Sequence, residues 1–487
     1  MRCSIERIAS ATSGRFVEGS SLSASEVFGI TWDSRAVAEG SVFVALVGRR
    51  VDGHDFLPQA FADGAACALV TKAPSDEARV AARRAGAAIV LVDDALRALS
   101  DLASWWRTQL SGLVIGITGS TGKTSTKNMV AAVCGACGTT VATQGNQNNE
   151  LGVPNTLLSA KSDTRFVIVE MGMRGPGQIT ELCSIARPDW ALVSNVGESH
   201  IELLGSRDAI ARAKAEVFQG LSQGARAFVN AADEYADRLI EVGGHEMRGG
   251  ETVFFDGSID AAARRARVRA DAPYAWAENI SLDECGCARF DLCATGFAHG
   301  GRVACTLSVP GLHNVSNACS AAAVGLAAGM TPADVAQALS RVEAESGRQE
   351  MLRTSQGALV VNDAYNANPD SMRSSLDMFA ALDVEGRRIA VLGDMGELGS
   401  FAAECHRRVG AHAASCGLDR LVCVGTLARF IAEGALDAGF PEGRALCLDS
   451  VDEASSLVEG LLSPSDAVLI KASHFMDLER MARRLAG

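Results

Sequence analysis

The chain lacks any long run of apolar residues. No segment approaches the apolar length that crosses a bilayer, and the N-terminus has no basic stretch followed by an apolar segment of signal-peptide length. We therefore expect a soluble, cytoplasmic protein without a membrane span.

Positive charge is also scarce. The 487 residues include 45 lysines and arginines against 58 aspartates and glutamates, which gives a formal net charge of −13. Affinity for nucleic acid is built largely from lysine and arginine contacts to phosphate, so this balance argues against a general nucleic-acid-binding protein. Any anionic ligand must be bound by basic groups placed locally.

Paired cysteine motifs of the zinc-site type are missing as well. The 14 cysteines are scattered, and neither Cys134-Gly-Ala-Cys137 nor Cys285-Gly-Cys287 has a second pair at the required spacing. We interpret the cysteines as reduced structural thiols of an intracellular protein.

Short apolar runs alternate with helical stretches along the whole chain, and a chain of this length exceeds one hydrophobic core. The pattern predicts an α/β protein of three domains at 1–108, 109–342 and 343–487. The first is a small α/β unit, the second a parallel sheet covered on both faces, and the third a Rossmann-like domain. The Gly-rich stretch at 243–252 is predicted to be a surface loop.

A nucleotide-binding loop is the clearest motif. Residues 113–125 read Leu-Val-Ile-Gly-Ile-Thr-Gly-Ser-Thr-Gly-Lys-Thr-Ser, an apolar strand followed by a Gly-rich turn and a helix. Glycines let backbone N–H groups converge on phosphate oxygens, and the helix presents its positive end to the same anion. Lys123 is expected to reach the outer phosphates of ATP, and Thr124 to hold magnesium.

Polar residues follow other predicted strands at the edge where ligands collect in open α/β sheets. Glu170 ends Phe166-Val-Ile-Val169, which suits it to a magnesium ion, although a solvated carboxylate is the alternative. Asp363 ends another strand. His200 lies in a loop, where it either binds a second metal ion or is merely solvated.

Lys214 lies on the apolar stripe of a predicted helix, together with Ile210, Val217 and Phe218. An apolar environment lowers the pKa of a lysine, and the neutral amine can react with carbon dioxide to give a metal-binding carbamate. The alternative is a snorkelling lysine whose ammonium reaches water, and the pattern alone leaves the two equal.

Several segments together resemble the Mur ligases, ATP-dependent amide-forming enzymes of bacterial cell-wall precursor synthesis. The match covers nearly the whole chain and rests on Asp33–Arg35, Asp52–Phe56, Thr118–Thr124, Gly145–Pro154, Glu170–Gly172, Asn195–His200, Gly311–Asn317, Gly347–Glu350, Asp363–Pro369 and Gly393–Gly399. The resemblance is strongest to the branch that adds D-Ala-D-Ala to UDP-N-acetylmuramoyl-tripeptide through an acyl phosphate. It implies ATP, two Mg²⁺ ions and a carbamoylated Lys214.

The resemblance also implies roles for individual residues. Nucleotide contacts would come from Gly119, Ser120, Thr121, Gly122, Lys123, Thr124, Ser125, Asn314, Asn317, Arg348 and Asp363. Metal ligands would be Thr124, Glu170, His200 and Lys214, with Lys123, Lys214, His200 and Glu170 as the catalytic set. Substrate contacts would come from Ser34, Arg35, Gly48, Asp52, Gly53, His54, Asn148, Asn149, Tyr365, Asn366 and Asn368.

One departure concerns Lys471-Ala-Ser-His474, which stands where this branch has Lys-Gly-Ser-Arg, so Ala472 and His474 leave the binding of the D-Ala-D-Ala carboxylate open. The third residue of the tripeptide, diaminopimelate or lysine, is likewise open. The alternatives are another ligase of the superfamily, such as a MurE-like or folylpolyglutamate synthase-like enzyme, and a nucleotide-dependent switch. We expect a monomer.

Overall fold

The computed structural model describes residues 1–48, 50–260 and 268–487. Its strands group into three large sheets and one two-stranded sheet, and the large sheets draw their strands from residues 15–91, 113–310 and 350–471. The fold is therefore mixed α/β, as the sequence predicted. The boundaries proposed at 108 and 342 stay a prediction.

The N-terminal sheet has five strands and is mostly parallel. Its strand order is β2-β7-β6-β5-β4, with β2 antiparallel to β7, and β1 pairs separately with β3. The strands are β1 Arg2–Ser4, β2 Arg15–Glu18, β3 Glu26–Phe28, β4 Ile30–Thr31, β5 Val42–Val44, β6 Cys67–Val70 and β7 Ala88–Leu91. The α-helices are Ile5–Ala11, Leu57–Ala62, Asp76–Ala85 and Ala95–Arg107.

The central sheet has nine strands in the order β16-β15-β14-β13-β12-β11-β8-β10-β9. They are β8 Leu113–Thr118, β9 Thr140–Ala142, β10 Phe166–Glu170, β11 Trp190–Val193, β12 Arg226–Asn230, β13 Glu251–Asp256, β14 Tyr274–Leu282, β15 Cys287–Thr295 and β16 Gly301–Pro310. The α-helices of this part are Lys123–Gly135, Gly152–Ser159, Gln178–Ala186, Ile201–Leu204, Arg207–Gln219, Ala236–Gly243, His313–Ala327 and Pro332–Leu339.

Strand β8 lies between β10 and β11, so the chain crosses to either side of it and leaves a crevice at its carboxyl end. Ligands of open α/β sheets bind at such a switch point. This topology brings the P-loop, the end of β10 and the end of β11 to one edge.

The parallel sheet predicted for the central part is only part of the observed sheet. Strands β8 to β14 are parallel, but β14, β15 and β16 form an antiparallel meander. The burial of β16 alternates between exposed and buried positions, as in a sheet with one solvated face.

The loop predicted at 243–252 is also corrected. A helix runs to Gly243, a 3₁₀ turn covers Glu246–Arg248, and β13 begins at Glu251. His245 is buried there, with Nε2 2.8 Å from Thr252 Oγ1, so this polar stretch is packed and not merely surface.

The third large sheet has the order β17-β18-β22-β19-β20-β21, parallel except for the β17–β18 pair. Its strands are β17 Glu350–Arg353, β18 Leu359–Asn362, β19 Arg388–Gly393, β20 Arg420–Val424, β21 Ala445–Leu448 and β22 Ala467–Lys471. The α-helices are Pro369–Ala381, Ala402–Ala414, Arg429–Asp437, Val451–Leu461 and Glu479–Ala486. Among all described residues, no helix combines the length and apolar character needed to span a bilayer.

Candidate active site

The P-loop connects β8 to the helix that begins at Lys123. Gly122 has a φ of +73°, and a Cβ there would lie 2.7 Å from Asn317 Oδ1, so only glycine fits. The backbone N–H groups of Ser120 and Thr121 donate to Asn195 O and Oδ1, both at 3.0 Å. Asn195 follows β11 closely, so the neighbouring strand fixes the loop. The first N–H groups of the helix have no intrahelical partner and can meet an anion.

Lys123 reaches back over this loop. Its Nζ donates to Gly119 O at 2.9 Å and to Ser120 O at 3.4 Å. Burial lowers the pKa of its ammonium, and the nearby Glu170 carboxylate opposes that shift. The two carbonyl oxygens carry only partial negative charge, so a phosphate group would be a stronger partner for the Lys123 ammonium.

Glu170 is 1% exposed at the end of β10. Its Oε1 accepts a hydrogen bond from Asn148 Nδ2 at 2.7 Å, whereas Oε2 has no hydrogen-bond partner among the described residues. A buried carboxylate oxygen without a partner is costly unless a cation or donor meets it. Glu170 and the buried Thr124 both line the cleft described below, so an oxygen-ligated cation such as Mg²⁺ fits here.

His200 stands in the left-handed conformation with a φ of +64°. Its Nδ1 lies 2.6 Å from Glu397 Oε2, and Arg174 Nε lies 3.6 Å from the other oxygen of that carboxylate. The His200 contact is the main reason why the pKa of Glu397 is lowered. The predicted metal ligand therefore joins the central part of the chain to the C-terminal part.

Lys214 lies in the helix Arg207–Gln219 and is 1% exposed. Burial shifts its pKa well below the usual value for lysine, Lys123 lowers it further, and Asp233 acts in the opposite direction. The side chain does not snorkel to water, so the burial required for a neutral amine is present. Lys214 is not, however, among the residues that line the cleft described below.

The two asparagines of the helix His313–Ala327 lie against the P-loop. Asn317 Nδ2 donates to Asn314 Oδ1 at 2.9 Å, and Thr126 Oγ1 donates to Asn317 Oδ1 at 3.1 Å. Asn314 Nδ2 donates to Pro310 O at 2.7 Å. This network holds the helix start at a fixed distance from Gly122.

Asp363 follows β18 and forms a buried ion pair with Lys471, whose Nζ lies 2.7 Å from Oδ2. Its Oδ1 accepts from the backbone N–H of Gln349 at 3.2 Å, and Ser375 Oγ donates to Oδ2. Asp363 thus anchors the C-terminal face of the cleft in addition to lining it.

An aromatic and cationic stack lies beside this pair. The guanidinium carbon of Arg348 lies 4.1 Å from the centroid of the Tyr365 ring, and the ring centroids of Tyr365 and His474 are 5.8 Å apart. A guanidinium over an aromatic face is a stable and oriented cation. It is available to an anionic ligand in the cleft.

Two further contacts join the C-terminal part to the loop after β11. Asn368 caps the helix Pro369–Ala381 and donates from Nδ2 to Ser199 Oγ at 2.8 Å. Arg408 forms an ion pair with Glu198. Together with the His200 contact, they fix the C-terminal wall of the cleft to the central sheet.

The predicted substrate residues of the N-terminal part form their own network. His54 is buried, with Nδ1 2.6 Å from Asp52 Oδ1, while Nε2 accepts from the backbone N–H of Thr71 at 3.0 Å. Lys72 Nζ lies 2.6 Å from Asp52 Oδ2, and the Lys72 contact is the largest cause of a lowered Asp52 pKa. Both ring nitrogens of His54 are therefore occupied within the domain.

One cleft of about 1340 Å³ connects these parts. Predicted residues that line it are Ser120, Thr121, Gly122, Lys123, Thr124, Ser125, Asn148, Asn149, Glu170, His200, Asn314, Asn317, Arg348, Asp363, Tyr365, Asn366 and Asn368. Predicted residues outside its lining are Gly119, Lys214, Ser34, Arg35, Gly48, Asp52, Gly53 and His54. The structure thus assembles the nucleotide and C-terminal residues but not the N-terminal set.

Sequence reasoning missed several residues of the cleft wall. Trp32 reaches it from the N-terminal part, Glu181 and Arg174 from the central part, and Glu397 and Lys471 from the C-terminal part. Trp32 directly precedes the Asp33-Ser-Arg35 motif, which was the available signal. Glu397 lies within the Gly393–Gly399 motif.

Comparisons with known proteins agree with this architecture. Family models described as Mur ligase family, catalytic domain, as Mur ligase middle domain, and as Mur ligase, glutamate ligase domain match residues 26–107, 117–325 and 347–474. The chain is 33% identical over 465 residues to the UDP-N-acetylmuramoyl-tripeptide–D-alanyl-D-alanine ligase of Bacillus subtilis, covering 94% of this chain and 93% of the relative.

Solved structures give the same result. A crystal structure of MurF from Acinetobacter baumannii superposes with a TM-score of 0.83 at 29% identity, covering 100% of this chain and 99% of that one. A Thermotoga maritima MurF ligase in complex with ADP gives 0.74 at 26% identity, covering 94% and 97%. The chain therefore belongs to the Mur ligase family, within its MurF branch.

Proposed function

We propose that this protein joins D-Ala-D-Ala to UDP-N-acetylmuramoyl-tripeptide and converts ATP to ADP and phosphate in the same reaction. The observation that carries the proposal is the single cleft in which the P-loop and Glu170 face Arg348, Asn366 and His474. Its size suits a nucleotide together with peptide substrates. The names of the relatives at 33% identity supply the substrate class.

The ATP phosphates would lie over the P-loop, where Lys123 exchanges its two carbonyl contacts for phosphate oxygens. Thr124 and the unpartnered Oε2 of Glu170 would hold one Mg²⁺. A bound Mg²⁺ offsets charge on the transferring phosphoryl group. Asn314 and Asn317 would contact the adenine, and Arg348 and Asp363 would contact the phosphates and ribose from the other wall.

The reaction needs an activated acid because a carboxylate is a poor electrophile. A carboxylate oxygen of the tripeptide attacks the γ-phosphorus, ADP leaves, and an acyl phosphate forms. The amine of D-Ala-D-Ala then attacks the acyl carbon, phosphate leaves, and the nitrogen loses a proton as the amide forms. Enclosure between the central and C-terminal walls protects this intermediate from water.

Lys214 supports a second cation site if its amine is carbamoylated. Burial favours the neutral amine that reacts with carbon dioxide, and the nearby Lys123 would be compensated by the new negative charge. His200 would be the partner ligand after its contact with Glu397 rearranges. Bound carbamate would be detected by nuclear magnetic resonance after incubation of the protein with ¹³C-bicarbonate.

The UDP-sugar would enter from the N-terminal side. Trp32 lines the cleft, and Ser34 and Arg35 follow it after Asp33. The Arg35 side chain is 88% exposed, so it is free to exchange its ion pair with Asp33 for the substrate. Gly48 would also contact the UDP-sugar. Asp52, Gly53 and His54 would contact the same substrate. A Cβ at Gly53 would lie 2.7 Å from Leu46 N, so the backbone at this position requires glycine.

Asn148, Asn149, Tyr365, Asn366 and Asn368 would contact the peptide substrates from the cleft wall. We propose that the protein works as a monomer. All 14 cysteines are free, which supports a cytoplasmic location.

The proposal is tested by measuring phosphate release from ATP with the UDP-tripeptide and D-Ala-D-Ala added separately and together. We expect sustained release only with both substrates. Release at the same rate without either substrate would indicate a nucleotide-dependent switch. Diaminopimelate- and lysine-containing tripeptides compared in the same assay identify the third residue.

A further inference from the structure

A cluster of three different metal-ligating side chains lies on the C-terminal part of the chain, away from the cleft. Asp377 belongs to the helix Pro369–Ala381, His412 to the helix Ala402–Ala414, and Cys416 follows that helix by two residues. One ligand atom from each lies within 4.8 Å of the other two. None of the three lines the cleft.

The cluster is already organised by local contacts. His412 Nε2 lies 2.6 Å from Asp377 Oδ1, and Cys416 Sγ donates to His412 O at 3.2 Å. The spacing of four residues brings Cys416 back to His412 at the helix end. Two helices that pack against each other therefore present an imidazole, a thiol and a carboxylate to one point.

The exposure of the three side chains and their donor atoms indicate which metal ion would bind. The Asp377 side chain is 60% exposed and that of His412 29%, while Cys416 is 6% exposed and forms the floor. Nitrogen, sulfur and oxygen donors together suit Zn²⁺, whereas Mg²⁺ prefers oxygen alone. Three protein ligands leave one tetrahedral position for water.

We infer that Asp377, His412 and Cys416 form a binding site for one Zn²⁺ ion. Small side-chain rotations bring the three donors to tetrahedral distances, a zinc–sulfur bond replaces the Cys416 S–H bond, and the thiol proton passes to solvent. The site is separate from the Mg²⁺ of the proposed reaction.

Zinc bound there would fasten two helices that both contact the central part of the chain. The first carries Asp370 in its first turn, and Oδ2 of Asp370 accepts from the backbone N–H of Glu198 at 3.1 Å. The second carries Arg408, which pairs with the Glu198 side chain. The ion would thus stiffen the C-terminal wall of the cleft from its outer side.

The test is a titration of the full-length, chelator-treated protein with Co²⁺, a spectroscopic probe of zinc sites, followed by displacement with Zn²⁺. We expect one Co²⁺ per chain and a near-ultraviolet thiolate-to-cobalt band that Zn²⁺ removes and excess Mg²⁺ leaves unchanged. Cys416→Ser should abolish the band. Cys447→Ser, which removes an exposed thiol elsewhere, is the matched control and should retain it.

Asp377→Asn and His412→Gln keep the thiol and should weaken Zn²⁺ binding at least tenfold. Asp377 is exposed, so its variant remains informative if Cys416→Ser fails to fold. Persistence of the band in Cys416→Ser, its loss in Cys447→Ser, or equal Zn²⁺ affinity of the wild type and Asp377→Asn would each overturn the inference.

Discussion

The isosteric change Glu170→Gln separates the charge of the buried carboxylate from its shape. The change keeps Oε1 and its 2.7 Å hydrogen bond from Asn148. An NH₂ group takes the place of the unpartnered Oε2 and cannot bind a cation. Mutation of a residue that only hydrogen-bonds to a metal ligand lowers metal affinity or activity about 10- to 100-fold. Loss of a direct ligand should therefore lower kcat/KM by more than about 100-fold. That corresponds to about 2.7 kcal/mol of transition-state stabilisation.

The assay follows phosphate release with both substrates while the Mg²⁺ concentration is varied. Glu181→Gln is the matched control, because it removes an exposed carboxylate from the same cleft and should change kcat/KM less than tenfold. Thermal unfolding of Glu170→Gln should not occur at a lower temperature, since a buried charge has been removed. A variant that kept more than a tenth of the activity with an unchanged Mg²⁺ requirement would refute the assignment.

Three further changes are informative. Gly122→Ala should weaken ATP binding at least tenfold, because the new Cβ would lie 2.7 Å from Asn317 Oδ1. The control is Gly224→Ala, which has the same φ of +73° but open space around it, and should lose only about 1–2 kcal/mol of folding stability to backbone strain. Equal ATP affinities of the two variants by calorimetry would contradict this. Lys214→Ala should abolish ligation and be partly restored by short-chain carboxylic acids, and full activity without them would remove the carbamate proposal. Burial lowers the pKa of His245 to about 4, so on acidification the unfolded state binds the proton first and the folded protein loses stability between pH 6.5 and 4. His245→Gln should make this loss of stability smaller in thermal melts across that pH range. The same pH dependence in the variant and the wild type would contradict the prediction.

The nucleotide side of the cleft was predictable from the sequence because its signals are local. Lys123 and Thr124 follow a strand within one turn, and Glu170 directly ends another, so strand direction alone brings them to one edge. Their arrangement needs only the topology of a parallel sheet.

Contacts between distant segments were not predictable in the same way. His200 and Glu397 are far apart in the sequence and meet only in the folded chain. Neither residue type alone indicates which partner it has. The same applies to the burial of Lys471 against Asp363. Trp32 enters the cleft through the placement of the N-terminal part, which periodicity does not encode.

The sequence did not indicate the partners of His54. Both of its ring nitrogens contact other residues, Asp52 and Thr71, and its predicted substrate contact stays a prediction. The antiparallel strand pair β14–β15 was not predicted, and its pairing is irregular between Glu278 and Ser281. A pattern of period two is weak where the register shifts.

The Ser199 hydroxyl acts at once as a donor and as an acceptor. It donates to Ser120 O of the P-loop at 3.1 Å and accepts from Asn368 Nδ2 of the C-terminal part. A single oxygen therefore connects the P-loop backbone to Asn368, the residue that caps the first long helix after β18. A displacement of Ser120 would therefore disturb both hydrogen bonds of this hydroxyl, and with them one contact between the central and C-terminal parts of the chain.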